Sequence, residues 1–244
     1  MEVGERPLTL SDIVEVARGP VPGRAVSGDG RGLAAREPEL RLTLAPSARE
    51  RMRQSRAVVE RALAEGRVIY GVTTGFAELK DRHIPRDQVR TLQLNLLRSH
   101  AAGVGPTAPR DVVRAMLLLR ATSLALGFSG CRPELVEGLL AFLERDVTPI
   151  VPLQGSVGAS GDLAPLAHLG LVLVGEGEAW LGDRRMPAGL ALRGAGLQPL
   201  SLEAKEGLAL INGTQLSTAV AALACAEARR LWEAGMATAA APPR

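Results

Sequence analysis

The sequence predicts a mainly helical protein with a few short strands, and three observations support this fold class. Aromatic residues make up 2% of the 244 residues, so leucine, valine and alanine must fill the core, which favours packed helices. Apolar residues recur at helical spacing over most of the chain, whereas the alternation typical of strands is confined to short runs. A chain of this length can form one large domain or two modest ones.

Capping signals predict two helices early in the chain. Thr9 and Asp12 have the spacing of a capping box, ahead of a short helix that ends at about residue 17. Ser47 and Glu50 have the same spacing, ahead of a helix that ends at residue 66. Short strands are predicted over residues 40–44 and 68–72.

The rest of the chain is predicted to be mostly helical. Residues 163–174 are apolar nearly all round except at His168, which predicts a helix that is buried on every side. We expect a Gly-rich loop over residues 150–162 and a small hairpin over residues 178–192. Further helices are predicted over residues 86–101, 108–126, 133–145 and 213–234.

Charge, cysteine usage and hydropathy exclude several classes of function. The net charge of +3 comes from arginines spread along helices, so we expect no nucleic-acid surface. Cys131 and Cys225 are far apart and have no metal-ligand spacing, which predicts no metal site and a reducing compartment. The first residues do not resemble a signal peptide, and the apolar stretches are short or interrupted by Arg120 or Glu227. A cytoplasmic protein without a membrane span is therefore expected.

The Gly-rich segment over residues 155–162 suggests several kinds of site. A phosphate loop needs Lys and then Ser or Thr after its last glycine, but Asp162 follows here. A dinucleotide fingerprint needs a strand before it. A hydrolase elbow needs glycine two residues before and two residues after Ser160, where Gly158 fits but Asp162 does not. A plain glycine turn against the buried helix stays open. Asp162 is expected to cap that helix, and Pro165 suits its first turn.

The same segment and the residues that follow, Gly-Ser-Val-Gly-Ala-Ser-Gly-Asp-Leu-Ala-Pro-Leu-Ala-His, resemble the signature of the histidine and phenylalanine ammonia-lyase family. The resemblance implies that Ala159-Ser160-Gly161 cyclises into 4-methylidene-imidazol-5-one (MIO), with no external cofactor. The Gly161 nitrogen would attack the Ala159 carbonyl carbon, and each of two steps, ring closure and loss of the Ser160 hydroxyl, would release one water. The product would be a strong electrophile at the N-terminus of a helix, where negative charge is favoured.

Two further segments match the family in the same order. Tyr70, in Tyr-Gly-Val-Thr-Thr-Gly-Phe, resembles the family's candidate acid or base near the substrate's β-carbon, although Ala77 stands where the family usually has glycine. Ser99 and His100 end a segment that is similar to the helix that recognises the substrate side chain, and this pair is typical of the histidine enzymes. The chemistry agrees, because an apolar pocket would leave the nitrogens of an imidazole unpaired.

A third segment, Leu-Ile-Asn-Gly-Thr-Gln, resembles the one whose asparagine reaches MIO and the substrate, which implies a substrate-binding role for Asn212. From the residues alone, Asn212 is a helix N-cap, Tyr70 is a core tyrosine and His100 is a satisfied helix-terminal histidine. His83 is expected in a loop, and His168 is expected to be packed and hydrogen-bonded.

The resemblance covers residues 8–234, and family members are about twice as long and form homotetramers whose active sites combine several subunits. It therefore implies the N-terminal half of such an enzyme, with a MIO-bearing domain over residues 1–202 and the start of a central helical bundle over residues 203–244. The implied activity is non-oxidative elimination of ammonia from L-histidine to give urocanate, the first step of histidine degradation.

Three alternatives remain open beside this reading of the resemblance. A family aminomutase, or a lyase for another aromatic amino acid, shares the MIO segment. A catalytically inactive truncated fragment would keep the segment without its activity. A serine hydrolase is disfavoured by Asp162.

Overall fold

The structure is a computed structural model that describes residues 1–19, 40–74, 84–85, 88–156 and 161–240. These residues are mostly helical with a few short strands, so the predicted fold class is confirmed. The helices are α1 (Leu10–Arg18), α2 (Pro46–Ala64), α3 (Val89–His100), α4 (Arg110–Ala125), α5 (Pro133–Glu144), α6 (Leu163–Leu173), α7 (Ala188–Gly194), α8 (Glu206–Ile211) and α9 (Gln215–Ala240). The strands are β1 (Glu2–Val3), β2 (Thr43–Leu44), β3 (Val104–Thr107), β4 (Val147–Pro149), β5 (Pro152–Gln154), β6 (Glu178–Leu181) and β7 (Arg184–Pro187).

The strands form three small sheets within the described residues. β1 pairs with β2 in parallel, β3 pairs with β5 antiparallel, and β4, β6 and β7 form an antiparallel sheet in that order. The β3–β5 ladder matters most for the site, because Val104 pairs with Gln154. It joins the chain that leaves α3 to the chain that enters the Gly-rich segment.

Two helices lie in the core. α4 packs against α1, α2, α5 and α9, and most of its side chains are buried. α6 is buried nearly all round, as predicted, and contacts α3, α8 and α9. Because α6 begins at Leu163, directly after the Gly-rich segment, that segment is attached to the most enclosed helix of the fold.

One of the two predicted capping boxes is present. The Thr9 hydroxyl accepts from the backbone N–H of Asp12, and the Asp12 carboxylate accepts from the backbone N–H of Thr9. The second box is wrong, since α2 begins at Pro46 and has no side-chain cap. The Ser47 hydroxyl instead donates to Glu5 at 2.6 Å, because the N-terminal segment packs alongside the start of α2.

The strand predicted over residues 68–72 is wrong. This segment forms a turn in which the N–H groups of Val72 and Thr73 donate to the Ile69 carbonyl at 3.1 and 3.0 Å. The Thr73 hydroxyl also accepts from the Ile69 N–H at 2.7 Å and donates to the Arg67 carbonyl. Threonine side chains can satisfy backbone groups in this way and so replace a strand ladder.

Other boundaries also differ from those predicted. The Gly-rich loop begins with β5, the predicted hairpin ends at Pro187 and is followed by α7, and the last helix extends to Ala240. A separate short helix, α8, precedes it, and the break falls between Ile211 and Gln215. At β5 and in the hairpin, the backbone is decided by strand pairing, which is non-local.

The stretch Glu206–Ala240 is long and apolar enough to cross a membrane by length and composition alone. The sequence prediction treated this stretch as interrupted by Glu227, which lies within α9. One such stretch is weak support for a membrane span, because a core helix of a soluble protein passes the same test. The break between α8 and α9 also interrupts the helical hydrogen bonding that a lipid environment requires.

Candidate active site

The predicted electrophile lies where the Gly-rich segment meets the turn between α8 and α9. Ala159 and Ser160 lie outside the described residues, but Gly161 is described and has φ = 134°. A side chain is strained at this φ, and a Cβ on Gly161 would overlap the Gly213 carbonyl group. The N–H of Asp162 donates to that same carbonyl oxygen at 2.6 Å. Main chain therefore lies directly against main chain at the C-terminal end of the triplet.

The Asp162 side chain is buried and does not cap α6, so that expectation is wrong. Its Oδ2 accepts from the backbone N–H of Ser217 at 2.8 Å, and its Oδ1 accepts from the hydroxyls of Ser217 and Ser156 at 2.8 and 3.0 Å. Ser217 lies in the first turn of α9, so Asp162 caps α9. The bond from Asp162 to the Gly213 carbonyl holds the carboxylate over that helix end.

The N-termini of α6 and α9 consequently meet beside Gly161. Each helix N-terminus carries unpaired N–H groups and a partial positive charge, which favour an anion nearby. Asp162 satisfies part of this demand at α9. The arrangement can therefore stabilise negative charge that develops close to the triplet.

Ser99 and His100 lie at the C-terminal end of α3. Nδ1 of His100 is 2.9 Å from the Leu96 carbonyl oxygen, and because a carbonyl only accepts, we assign the ring proton to Nδ1. In the neutral ring Nε2 is then the acceptor. The Ser99 hydroxyl donates to the same Leu96 carbonyl at 3.0 Å. This helix end thus presents a half-exposed imidazole whose ring orientation is set by its own helix.

The end of α3 contacts the start of the Gly-rich segment. Gly103, three residues after His100, lies so close to Gly155 that a Cβ on Gly155 would be 2.9 Å from the Gly103 Cα. The N–H of Gly103 donates to Nε2 of His168 at 3.1 Å. His168 is therefore half-buried and hydrogen-bonded, as predicted.

Asn212 is exposed and ends α8, with its N–H donating to the Leu208 carbonyl at 3.1 Å. The N-cap role expected from its neighbours is wrong, since α9 begins three residues later at Gln215. The contact between Gly161 and Gly213 brings Asn212 next to the C-terminal end of the triplet. The structure thus brings Gly161, Asp162 and Asn212 together.

Tyr70 is 56% exposed and lies on the turn that replaces the predicted strand, so its interpretation as a core tyrosine is wrong. The neighbouring Val72 belongs to a small apolar cluster with Val89, which begins α3, whereas His100 ends the same helix. A helix of this length spans roughly 18 Å. Tyr70 therefore lies near the start of α3, whereas Ser99 and His100 lie at its end.

Arg120 is a buried residue of the site region that the sequence did not assign to it. Its guanidinium donates to the Ala209 carbonyl of α8 and, at 3.1 Å, to Oε1 of Gln215 in α9. Burial lowers the pKa of this guanidinium to about 10, which leaves it charged at neutral pH. It braces both sides of the turn that holds Asn212 and Gly213. The available signal was a charged residue inside the apolar periodicity of α4, a position that is buried by pattern.

A surface cavity of about 360 Å³ lies elsewhere, between α3 and residues 199–202, and no predicted site residue lines it. The two arginines beside it are already paired, Arg90 with Glu203 and Arg98 with Glu176, each at 2.6 Å. Among the described residues, no group of three His, Cys, Asp or Glu side chains could hold a metal. His83 and Ala77 lie outside the described residues.

The chain is similar to proteins of one known family. A family model described as aromatic amino acid lyase matches residues 31–242. Histidine ammonia-lyase from Gloeobacter violaceus is 53% identical over 224 residues, which make up 92% of the chain and 40% of that protein. The chain therefore spans well under half the length of this relative.

Solved structures share the fold. Histidine ammonia-lyase from Trypanosoma cruzi matches with a TM-score of 0.77 at 35% identity, over 92% of the chain and 39% of that structure. Phenylalanine aminomutase from Pantoea agglomerans matches with a TM-score of 0.81 at 30% identity, over 95% of the chain and 41% of that structure.

Proposed function

Because the chain belongs to the aromatic amino acid lyase family, we propose that it is the MIO-bearing part of a histidine ammonia-lyase, a carbon–nitrogen lyase. The complete enzyme eliminates ammonia from L-histidine and releases urocanate. The observation that carries the proposal is the contact of Gly161 with Gly213, which places the end of the triplet beside Asn212. The histidine specificity is supported by His100 and by the name of the Gloeobacter violaceus relative.

The residues present fit the MIO group at the part of its segment that is described. Gly161 adopts a φ open to glycine, and its main chain is held by the Asp162 N–H and by the packing against Gly213. The group supplies an electrophile that captures the substrate and turns its amine into a better leaving group. Ala159, Ser160 and Gly161 would provide its atoms, and Asp162 would anchor it through Ser217.

Four side chains act on the substrate or line its pocket in this proposal. Nε2 of His100 accepts a hydrogen bond from the substrate imidazole, while Nδ1 stays on the Leu96 carbonyl, and Ser99 lines the same pocket. Asn212 orients the substrate beside the triplet. Tyr70 removes the β-proton; its phenol needs a positive field to act as a base.

The position of Tyr70 at the other end of α3 sets a condition on this role. Family active sites combine several subunits, so the Tyr70 that serves a given site can come from another copy of the chain. The proposal accordingly includes a homotetrameric, cytoplasmic enzyme that acts on L-histidine and binds neither nucleic acid nor membrane. Its domains are the MIO-bearing residues 1–202 and the start of a helical bundle over residues 203–244.

Intact-mass measurement of the 244-residue chain tests the central step. Ring closure and loss of the Ser160 hydroxyl each release water, so we expect a mass deficit of two waters located at residues 159–161. Ser160→Ala should abolish the second loss, whereas Ser47→Ala, outside the segment, should keep the full deficit. A chain of full mass would contradict the proposed maturation.

Product analysis tests the reaction. Urocanate should form from L-histidine when the chain is mixed with the C-terminal part of the Gloeobacter violaceus relative, and His100→Leu should lower kcat/KM on the order of 100-fold. Absence of urocanate from a chain that carries the mass deficit would support a catalytically inactive fragment.

A family aminomutase is the second candidate, and the likeness to the Pantoea agglomerans phenylalanine aminomutase favours it. Such an enzyme moves the amine from the α-carbon to the β-carbon and retains it. A β-amino acid product in place of urocanate and free ammonia would establish this alternative.

A further inference from the structure

His168 lies in α6, on the helix that begins directly after the Gly-rich segment. Its Nε2 accepts a hydrogen bond from the backbone N–H of Gly103 at 3.1 Å. Since a backbone N–H only donates, the neutral ring must carry its proton on Nδ1. Burial lowers the pKa of His168, which keeps Nε2 available as an acceptor near neutral pH.

Packing around this bond leaves no room for a side chain on Gly103. A Cβ on Gly103 would lie 3.0 Å from Nε2 of His168 and 3.2 Å from the Cβ of Pro152. A Cβ on Gly155 would lie 2.9 Å from the Gly103 Cα. Gly103 is therefore enclosed by the His168 ring on one side and by the segment that leads into residues 155–162 on the other.

Gly103 lies between the end of α3 and the start of β3. His100 ends α3, the Ala102 N–H donates to the His100 carbonyl at 2.8 Å, and β3 begins at Val104. A shift of Gly103 would therefore be passed to His100 through two intervening residues. On the other strand of the ladder, Gln154 precedes Gly155 and the Gly-rich segment.

We propose that His168 is a positioning residue that sets the substrate-recognising end of α3 against the Gly-rich segment by holding the Gly103 N–H. The proposal rests on the proposed function for the role of Ser99 and His100. Without this bond, the connection between His100 and Gly103 would be held by the β3–β5 ladder and by the packing of Ala101 against the core. Displacements of about 1 Å at such sites lower rates by up to roughly 100-fold.

Two variants of the full chain separate positioning from packing. His168→Gln keeps an oxygen acceptor near the place of Nε2, whereas His168→Leu fills the space with no acceptor. Val172→Ala, one turn further along α6 and fully buried, is the matched control because it weakens the core without removing the acceptor.

Hydrogen exchange of the Gly103 amide is the first readout. We expect protection in the wild type, in His168→Gln and in Val172→Ala, and at least about 10-fold faster exchange in His168→Leu. The ring signals of His100 are the second readout, and the chain has three histidines to assign. They should move in His168→Leu and return in His168→Gln.

Turnover provides the third readout. In mature enzyme, KM for L-histidine should rise about 10-fold in His168→Leu with a smaller change in kcat, and His168→Gln should restore it. Unchanged Gly103 exchange and unchanged His100 signals in His168→Leu would overturn the inference. A wild-type chain without the mass deficit or urocanate would contradict the proposed function instead, and the exchange and ring signals would still decide the role of His168.

Discussion

The carboxylate of Asp162 accepts from both the backbone N–H and the hydroxyl of Ser217, each at 2.8 Å, and so ties the Gly-rich segment to the first turn of α9. Asp162 is 1% exposed, whereas Ser217 and Ser156 are exposed residues, so the carboxylate itself is shielded from water while its hydroxyl donors are not. The bond spans 55 residues of sequence. It is the main side-chain link between the two helix N-termini beside Gly161.

Asp162→Ala should lower the free energy of unfolding by about 2 kcal/mol, because the cap of α9 is lost together with the hydrogen bonds from Ser217 and Ser156 to a charged carboxylate. Ser217→Ala keeps the backbone donor and should cost about 1 kcal/mol. Urea denaturation measures both, and a double-mutant cycle gives their coupling. Equal losses in the two single variants would contradict the capping role of Asp162.

Gly161→Ala should destabilise the chain by about 3 kcal/mol, since its φ of 134° is strained for any side chain and the Cβ would overlap the Gly213 carbonyl. Gly182→Ala is the matched control. Gly182 has φ = 55° with no atom within 4 Å of an added Cβ, so its cost should be about 1 kcal/mol. Thermal unfolding of the two variants compares them, and similar melting temperatures would argue against the contact.

Glu206→Gln should lower the free energy of unfolding by about 3–5 kcal/mol, because Glu206 is fully buried and bonded to Arg132 at 2.7–3.0 Å. Glu178→Gln breaks the exposed pair with Arg185 and should cost less than about 1 kcal/mol. Guanidinium denaturation of the two variants tests the contrast.

The pH dependence of the same pair has a definite sign. Burial alone would raise the pKa of Glu206, but hydrogen bonds from Arg132 and from backbone N–H groups hold it below the ordinary value of 4.5. The stabilisation is present above pH 4.5 and is lost as the pH falls through the folded-state pKa. The wild type should lose this contribution on acidification, whereas Glu206→Gln, with no carboxyl group to titrate, should not.

His168 should make the chain less stable as the pH falls below its ordinary pKa. Burial lowers the folded-state pKa of His168 below 6.5, so the unfolded state binds the proton first. Stability is then fully present above pH 6.5 and decreases as the pH falls through the folded-state pKa. The free energy of unfolding should decrease more steeply in the wild type than in His168→Gln, and parallel curves would contradict the shift.

Residue order along the chain was enough to predict the features that depend on local spacing. The helical class, the enclosed helix α6 and the Thr9 capping box follow from residue spacing alone, since these hydrogen bonds and apolar faces repeat within a few residues. The Ala159-Ser160-Gly161 motif and its neighbours likewise indicated the family before any contact was known, because the motif has a chemical use that few other sequences share.

Which of these residues come into contact depends on tertiary packing and could not be predicted from residue spacing. In the structure, the Asp162 carboxylate caps α9 and not α6. The Gly103 N–H donates to His168, 65 residues away in sequence, and Tyr70 lies near the opposite end of α3 from His100. The physical reason is that such contacts depend on how helices pack and where backbones come into contact. The spacing of residues along the chain predicts which side chains share a face of one helix or strand. Contacts between different elements depend instead on how they pack around the hydrophobic core that contains α4 and α6.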